Sequence, residues 1–462
     1  MRLPSGAQLP NLHPTSMKRR TFITSLGAVS ASSVIVAAEP PPTLRSVSTD
    51  VLVIGGGTAG TIAAVQAGRL GARTILVESG SQLGGTTTTA GVDFPGLFHA
   101  WGKQVIAGIG WELVVDTVKL NSGDLPDFTK PTGRQHWRHQ VRICGNLYAA
   151  LAEEACVKAG VQLRYYESPL TVTPTGGGWR VRLAGKGTSV EVVTKQLIDC
   201  TGNASVVGLA GIERLREKAR QPGTLIYRLG GYDIPSIDMN ALQAKLVAAR
   251  KSGALKPTDI NGTIAGFLGK GGESGNHIPG ADSSTSETHT ATNLLGREAL
   301  LRVLRFLKEE PAFALMTIER LQPEAGIRET FRIIGETTIT QEDYTSGRVF
   351  EDAVAHSFYP IDLHYEGGVT PKHLNEGIVP TIPLRALIPK ASKNLLVAGR
   401  CLSSDQLANS ALRVQASCMA MGQAAGVTAA LAAKAGTTPS QVPLADIRRE
   451  LTRHGAIVPP RV

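Results

Sequence analysis

Gly55, Gly57 and Gly60, with Glu78 eighteen residues beyond the last of them, are residue types at spacings suited to holding a dinucleotide. The first glycine permits a tight turn, and the second lets a pyrophosphate come up against the backbone. The third lets the following helix pack close to the strand. Thr58 and Ala59 complete the turn, whose amides and helix dipole would face the anion. Glu78 stands where a ribose hydroxyl would need an acceptor. A glycine-rich turn can also be a turn and nothing more.

Other groups capable of chemistry lie far downstream. Arg328 could clamp a substrate carboxylate bidentately, or form a structural ion pair with its neighbour Glu329. His364 follows Asp362 by two residues, a spacing that puts both on one face of a strand. His364 could therefore move a proton in a cleft, or simply sit at a surface or interface. Tyr359 and His356 are secondary candidates, and His99 follows a threonine-rich loop. Arg413 could touch substrate or tie two domains together. The five cysteines are scattered without a C-x-x-C, so neither a zinc site nor a local iron–sulfur loop is expected, and Cys200 and Cys418 read as buried free thiols.

These groups need elements to position them. Residues 51–54 form a short apolar run suited to a central parallel strand, and the helix after the turn carries Ala63, Ala64 and Ala67 before stopping at Gly71. A second strand, 73–77, delivers Glu78. The stretch 79–96 is rich in Gly and Thr, with Gly84, Gly85 and Thr86 offering amides and a hydroxyl at close range. Apolar spacing predicts helices over 103–120 and 141–159, separated by a polar surface excursion at 121–140. Runs at 161–173, 179–183 and 190–193 suggest an antiparallel meander, and a further strand, 195–200, ends in Thr201-Gly202-Asn203. From 211 to 391 helical stretches at 238–252 and 290–308 alternate with polar loops. The buried-strand pattern returns at 394–398, followed by Gly399-Arg400 and one long helix over 410–434 with Asn409 as its cap. That helix, rich in Ala and Gly and interrupted by Arg413, Gln415 and Gln423, reads as a packing helix and not a membrane span.

Composition sets outer limits. The chain has 462 residues, 42% hydrophobic and 19% charged, enough for two or three domains with ample core. Of its net charge of +10, four charges (Arg2, Lys18, Arg19 and Arg20) lie in an acid-free leader, so +6 remains after residue 38. No Lys/Arg block interleaved with aromatics points to nucleic acid. In the leader, paired arginines precede Phe22-Ile23 and a small-residue stretch ending at Val36-Ala37-Ala38, which resembles a bacterial twin-arginine export signal. Export to the periplasm or beyond is the expectation, with no stable membrane span after its removal.

Three separated segments, 55–78, 201–203 and 399–426, read as parts of one cofactor site. A nicotinamide dehydrogenase seldom needs the last strand and helix to return to that cleft, whereas an extended FAD does. The stretches DVLVIGGGTAGTIAA, LIDCTGNASVVGLAG, GIRETFRIIGE, FYPIDLHYEGG and NLLVAGRCLSSDQLANSALRVQASCMAMGQAAGVTAAL resemble the FAD-dependent oxidoreductase family of the two-dinucleotide-binding-domain type, related to the flavoprotein subunit of heterodisulfide reductase. The resemblance implies an α/β fold: a Rossmann-like FAD-binding domain with a parallel central sheet and a β-meander insertion, plus a second α+β substrate domain. Its boundaries are a signal at 1–38, a linker at 39–48, the FAD-binding domain at 49–210 and again at 392–436, a substrate or cap domain at 211–391, and a tail at 437–462. It implies that Gly55, Gly57 and Gly60 hold the pyrophosphate and Glu78 the adenosine ribose. Gly84, Gly85 and Thr86 would lie along the pyrophosphate–ribityl region, with Thr201 and Gly202 on the cofactor side of the sheet. Gly399 and Arg400 would approach the flavin. Relatives commonly carry Asp where this chain has Asn203, so a charge there is not required. The activity implied is hydride transfer from a small organic substrate to FAD, with an undetermined electron acceptor; the basic balance and Arg328 would suit an anionic substrate. The competing expectation is a non-redox flavin isomerase or lyase.

Overall fold

The computed structural model describes residues 44–460, so the leader and its twin arginines lie outside the described residues. The fold is built on strand Arg45–Ile54, which begins inside the segment read as a linker. It pairs in parallel with Thr74–Glu78 on one side and with Thr188–Asp199 along nearly its whole length on the other. Gln162–Tyr165 extends the parallel sheet beyond Thr74–Glu78. The two runs read at 190–193 and 195–200 are thus one strand, because a single partner zips both.

The long strand Thr188–Asp199 is shared. Its first part carries the antiparallel meander, pairing with Gly178–Gly185, which in turn pairs with Glu167–Thr175. Its end pairs in parallel with the returning strand Leu395–Val397. The run expected at 161–173 breaks at Tyr166, whose φ of 58° turns the chain out of the parallel sheet and into the meander.

Helix Thr58–Arg69 covers one face of the sheet, and helix Gln415–Ala435 packs across it. Small residues allow this approach: a Cβ on Gly422 would stand 2.2 Å from the Ala59 carbonyl oxygen, and one on Gly426 would stand 2.4 Å from that of Ala63. Inside the pair, Gln423 donates to Gln66 at 3.0 Å. Gln415–Ala435 is long and apolar enough to cross a membrane, yet its residues are largely buried in this core.

Several expectations are corrected. The late helix is two helices, Gln406–Leu412 and Gln415–Ala435, broken at Arg413-Val414. Asp405, not Asn409, caps the first of them, accepting from the Ala408 amide at 2.7 Å, while the Asn409 amide nitrogen donates to the Arg400 carbonyl. The helix expected at 103–120 starts at Ile109, because Lys103–Gln104 pairs with His99–Ala100 as a short hairpin. The segment read as a tail carries helix Leu444–Arg453, whose Ile447 and Leu451 join the main core. In 211–391, Tyr227, Leu246, Val303 and Phe313 form a separate core, but Ile339, Tyr344, Ala353 and Ile382 belong to the main one. The independent cap is therefore narrower than that segment, centred on 227–316.

Candidate functional site

The three glycines have three different environments. A Cβ on Gly60 would lie 1.8 Å from the Gly55 carbonyl oxygen, and one on Gly55, where φ is 101°, would lie 2.5 Å from that of Cys200. Those two are closed by strand–helix packing. A Cβ on Gly57 would meet nothing within 4 Å, so that side of the second glycine faces open space. Gly57 also precedes helix Thr58–Arg69, whose first turn has no side-chain cap. This is the surface a pyrophosphate requires.

Two further pieces close on the turn. Glu78 bonds the amides of Gly56 and Gly80 at 2.7 Å each, which fixes its carboxylate at the rim of the glycine turn. The Gly84 amide donates to the Gly56 carbonyl at 2.8 Å, and a Cβ on Gly85 would lie 3.0 Å from the Gly57 Cα. Gly84, Gly85 and Thr86 thus run beside the turn. The next residue, Thr87, donates to Gln415 Oε1 at 2.6 Å, and Gln415 Nε2 donates to the Val92 carbonyl at 2.6 Å. The loop is thereby tied to the first turn of the returning helix, which has no side-chain cap at Val414.

The Thr-Gly-Asn turn is held from beneath by Asp199, which sequence reasoning missed. Its buried carboxylate accepts from the Thr201 hydroxyl at 2.7 Å, the Thr201 amide at 3.0 Å and the Val207 amide at 3.1 Å. Burial pushes its carboxyl above the usual range even against those bonds. Asn203 is a junction: its amide nitrogen donates to the Ser283 carbonyl at 2.8 Å, and its oxygen accepts from Thr330, Ser283 and Arg400. A carboxylate could not make the first of these bonds, which is a physical reason for Asn here.

Arg400 has a different set of partners from the expected flavin contact. Its guanidinium donates to the carbonyls of Gly202 and Ile327, both at 2.9 Å, and to Asn203 Oδ1 at 3.1 Å. It fastens the cap to the sheet. Gly399, at a φ of 101°, lies against Ala59 in the first turn of the glycine helix.

A second group of residues gathers beside the break between the two late helices. His364 Nε2 lies 3.1 Å from Asp362 Oδ2, and His364 Nδ1 lies 3.2 Å from Nε2 of His277. Arg413, the residue before the uncapped turn, has NH2 3.7 Å from Asp362 Oδ2 and donates to the Asp362 carbonyl at 3.2 Å. The Asp362 amide donates to Ser410 at 3.0 Å. Gln221 accepts from the His364 amide at 3.0 Å and is itself held by Glu329, which accepts from its amide at 2.6 Å. So Glu329 does not pair with Arg328. It supports the histidine from behind, and Gln406 donates to it at 2.9 Å.

Arg328 spends NH1 on the Pro222 carbonyl at 2.5 Å and the Thr224 hydroxyl at 3.1 Å. Burial, then the nearby Arg413, draw its guanidinium down, against the pull of Asp362, yet it stays cationic because its ordinary value is so high. Burial lowers His364 to about 4; the Asp362 hydrogen bond opposes this and Arg328 adds to it. Burial and then Arg328 lower His277 as well. Burial pushes the Asp362 carboxyl up, but His364, Arg413 and Arg328 outweigh it and hold it below the usual range. Both imidazoles are therefore neutral at neutral pH, beside one carboxylate and two guanidiniums.

Tyr359 stands at the same place. Its hydroxyl accepts from Gln140 at 2.9 Å, its ring meets His136 edge-on at 5.1 Å, and burial raises its pKa, so it keeps its proton. The excursion at 121–140 thus reaches inward. His356 lies on strand Ala353–His356 and does not join the cluster. His99 stacks on Phe128 at 3.7 Å and meets Trp111 edge-on, an aromatic packing role. His277 had no signal beyond being a histidine in a polar loop.

These residues fit FAD: an open second glycine, a rim carboxylate, a loop against the turn, and an uncapped helix start beside Arg413, whose Nε is buried with no hydrogen-bond partner among the described residues. The family match agrees. The sequence model of the family described as FAD dependent oxidoreductase matches residues 50–451. Nicotine dehydrogenase of Pseudomonas putida is 36% identical over 114 residues, 20% of this chain and 24% of that protein, so the chain spans about a quarter of the curated relative it matches. Among solved structures, a geranylgeranyl bacteriochlorophyll reductase-like protein from Thermoplasma acidophilum is 13% identical, covering 88% of this chain and 82% of that one, with a TM-score of 0.41. The p-nitrophenol 4-monooxygenase of Pseudomonas putida is 11% identical, covering 89% and 84%, with a TM-score of 0.38. The chain belongs to the FAD-dependent oxidoreductase family, and FAD is its cofactor.

Proposed function

We propose that this FAD-dependent oxidoreductase oxidises a small organic anion, withdrawing a hydride from a carbon that carries an O–H or N–H group. The observation that carries this reading is the charge of the second cluster. Asp362 is the carboxylate that bears on Arg328 and Arg413, Glu329 facing Arg332 at 3.9 Å, so with His364 neutral one positive charge is left to be met. A substrate carboxylate would meet it, with Arg328 and Arg413 orienting the reacting carbon.

FAD, when bound, supplies the two-electron acceptor for the hydride. The rest is done by the chain. Both ring nitrogens of His364 are engaged by protein atoms, so the substrate's proton goes to the Asp362 carboxylate, which His364 Nε2 holds in place. Gln221 and Glu329 fix the pair's backbone, and Tyr359 lines the site as a neutral phenol.

The test is anaerobic mixing of the FAD-loaded protein with carboxylates, sugars and amines, following loss of the oxidised flavin band. A carboxylate should bleach it, and His364→Ala and Arg328→Ala should each slow bleaching at least tenfold, about 1.4 kcal/mol of transition-state stabilisation. Bleaching by cationic amines alone, or unchanged rates in both variants, refutes the reading. The proposal includes export: Arg19 and Arg20 direct the folded, cofactor-loaded chain through the twin-arginine route. Replacing both by Lys should strand the protein in the cytoplasmic fraction; normal export of that variant would count against it.

A further inference from the structure

The Asp362–His364–His277 contacts form a line with a definite polarity. Asp362 is a carboxylate, so the contact at 3.1 Å needs the proton on His364 Nε2. His364 Nδ1 is then an acceptor, and the contact at 3.2 Å needs the proton on His277 Nε2. The remaining nitrogen, His277 Nδ1, has only a lone pair, yet it faces the Glu366 carbonyl oxygen at 3.4 Å. A carbonyl oxygen can only accept. With both rings neutral the line has one contact of the wrong sign, and one added proton makes all three contacts hydrogen bonds.

Burial opposes that proton first, and neighbouring positive charge second. His277 is 6% exposed, and the groups that bear on the line are Asp362 and His364 beside the short strand His364–Tyr365, Arg328 from the segment behind Pro222, and Arg413 from the helix break. The two guanidiniums outnumber the carboxylate. An anion placed between them would cancel the excess and remove the main electrostatic objection to a third positive charge.

We propose that His277 is the proton-holding residue of an Asp362–His364–His277 unit, which takes up one proton when an anion occupies the Arg328–Arg413 site. The inference rests on the anionic-substrate reading given above. Binding forms one N–H bond at His277 Nδ1, the proton coming from solvent, and no electron moves. The unit goes from a net charge of −1 to 0 and the charged imidazole is held by the Glu366 carbonyl. Substrate binding thereby adjusts the protonation of the very pair that must handle the substrate's proton. Linkage makes the effect reciprocal: anion affinity rises as pH falls, by up to tenfold per pH unit between the free and occupied pKa values of the unit.

Benzoate is a suitable probe because it is an anion above about pH 5 and offers no hydride on an oxidisable carbon. Titration calorimetry of the full FAD-loaded chain with benzoate, in two cationic buffers of different ionisation heat, bis-Tris and pyridine, reads the protons taken up per benzoate. The expected result is an uptake approaching one proton in the wild type at the acid end of the range. In His277→Gln the amide can still donate to His364 Nδ1 but holds no proton, so benzoate should still bind with uptake near zero and pH-independent affinity. Benzoate binding without proton uptake in the wild type overturns the proposal while leaving the anion site standing. Uptake that persists in His277→Gln overturns the assignment to His277. No binding of benzoate at any pH, in a protein that retains FAD, overturns the anion site and this proposal with it.

Discussion

Gly57 and Gly60 are three residues apart in one motif, and the same substitution at each should fail in different ways. At Gly60 an added methyl would lie 1.8 Å from the Gly55 carbonyl oxygen and 3.0 Å from the Cys200 Cβ. Normal contact needs well over an ångström more, and the obstacle is backbone of the glycine turn just past the central strand, which cannot rotate away as a side chain could. Overpacking of this kind costs about 1–3 kcal/mol and occasionally more; with a backbone obstacle Gly60→Ala should cost at least about 3 kcal/mol. That is a large part of the roughly 5–15 kcal/mol typical of a folded chain. At Gly57, φ is −65° and an added Cβ would meet nothing within 4 Å, so Gly57→Ala introduces neither strain nor overlap in the protein itself. Its cost to the apo fold should stay within about 1 kcal/mol, the scale of a cap substitution. Its methyl instead occupies the space a pyrophosphate needs, and FAD affinity should fall ten- to a hundredfold, about 1.4–2.8 kcal/mol. Urea unfolding of the apo chains and FAD titration by flavin fluorescence measure the two effects separately. If Gly57→Ala destabilises the apo fold as much as Gly60→Ala, or binds FAD like the wild type, the assignment of that open space to the pyrophosphate is wrong.

Two more predictions concern side chains. His364 is depressed from 6.5 to about 4 in the fold, so its neutral form is the favoured one. Stability should be full above about pH 6.5 and fall as pH drops toward about 4, by at most about 3 kcal/mol, with solvent access to the ring trimming this to about 2. A His364→Gln variant should lose less stability than the wild type over that window in parallel urea titrations; superimposable curves would contradict the assigned burial cost. Gln415→Leu removes bonds to Thr87 and to the Val92 carbonyl and leaves both buried groups short of a partner, so about 2–3 kcal/mol of stability should be lost. FAD should also bind less tightly, because the loop at 84–89 is no longer tied to the late helix; unchanged FAD affinity would show that this tie does not shape the cofactor site.

The dinucleotide turn was legible in the sequence because all its parts are local. Strand, turn, helix, second strand and Glu78 are contiguous, and the spacing alone places the acid at the rim where it bonds the Gly56 amide. The return of 394–426 to the same cleft was also legible, since a buried-strand run followed by a Gly/Ala-rich helix has few other uses. Only the tertiary structure showed why that helix carries Gly422 and Gly426, each pressed against a carbonyl of a helix more than 350 residues earlier.

Other features depended on contacts that no spacing records. Within the chain, Arg400's donors go to Gly202, Asn203 and Ile327, three partners that share no sequence pattern with it. Glu329 was set against Arg328 because they are neighbours, yet adjacent side chains on an extended chain point apart, and each found its partners elsewhere. His364 and Asp362 were paired by their two-residue spacing. His277, 87 residues earlier, could be joined to them only by folding. The sequence by itself determined the family and the cofactor, because the strand–turn–helix that carries them rests on short-range backbone geometry. Which charges gather with Asp362, and which histidine completes their line, were decided by long-range packing of loops onto the break between helices Gln406–Leu412 and Gln415–Ala435.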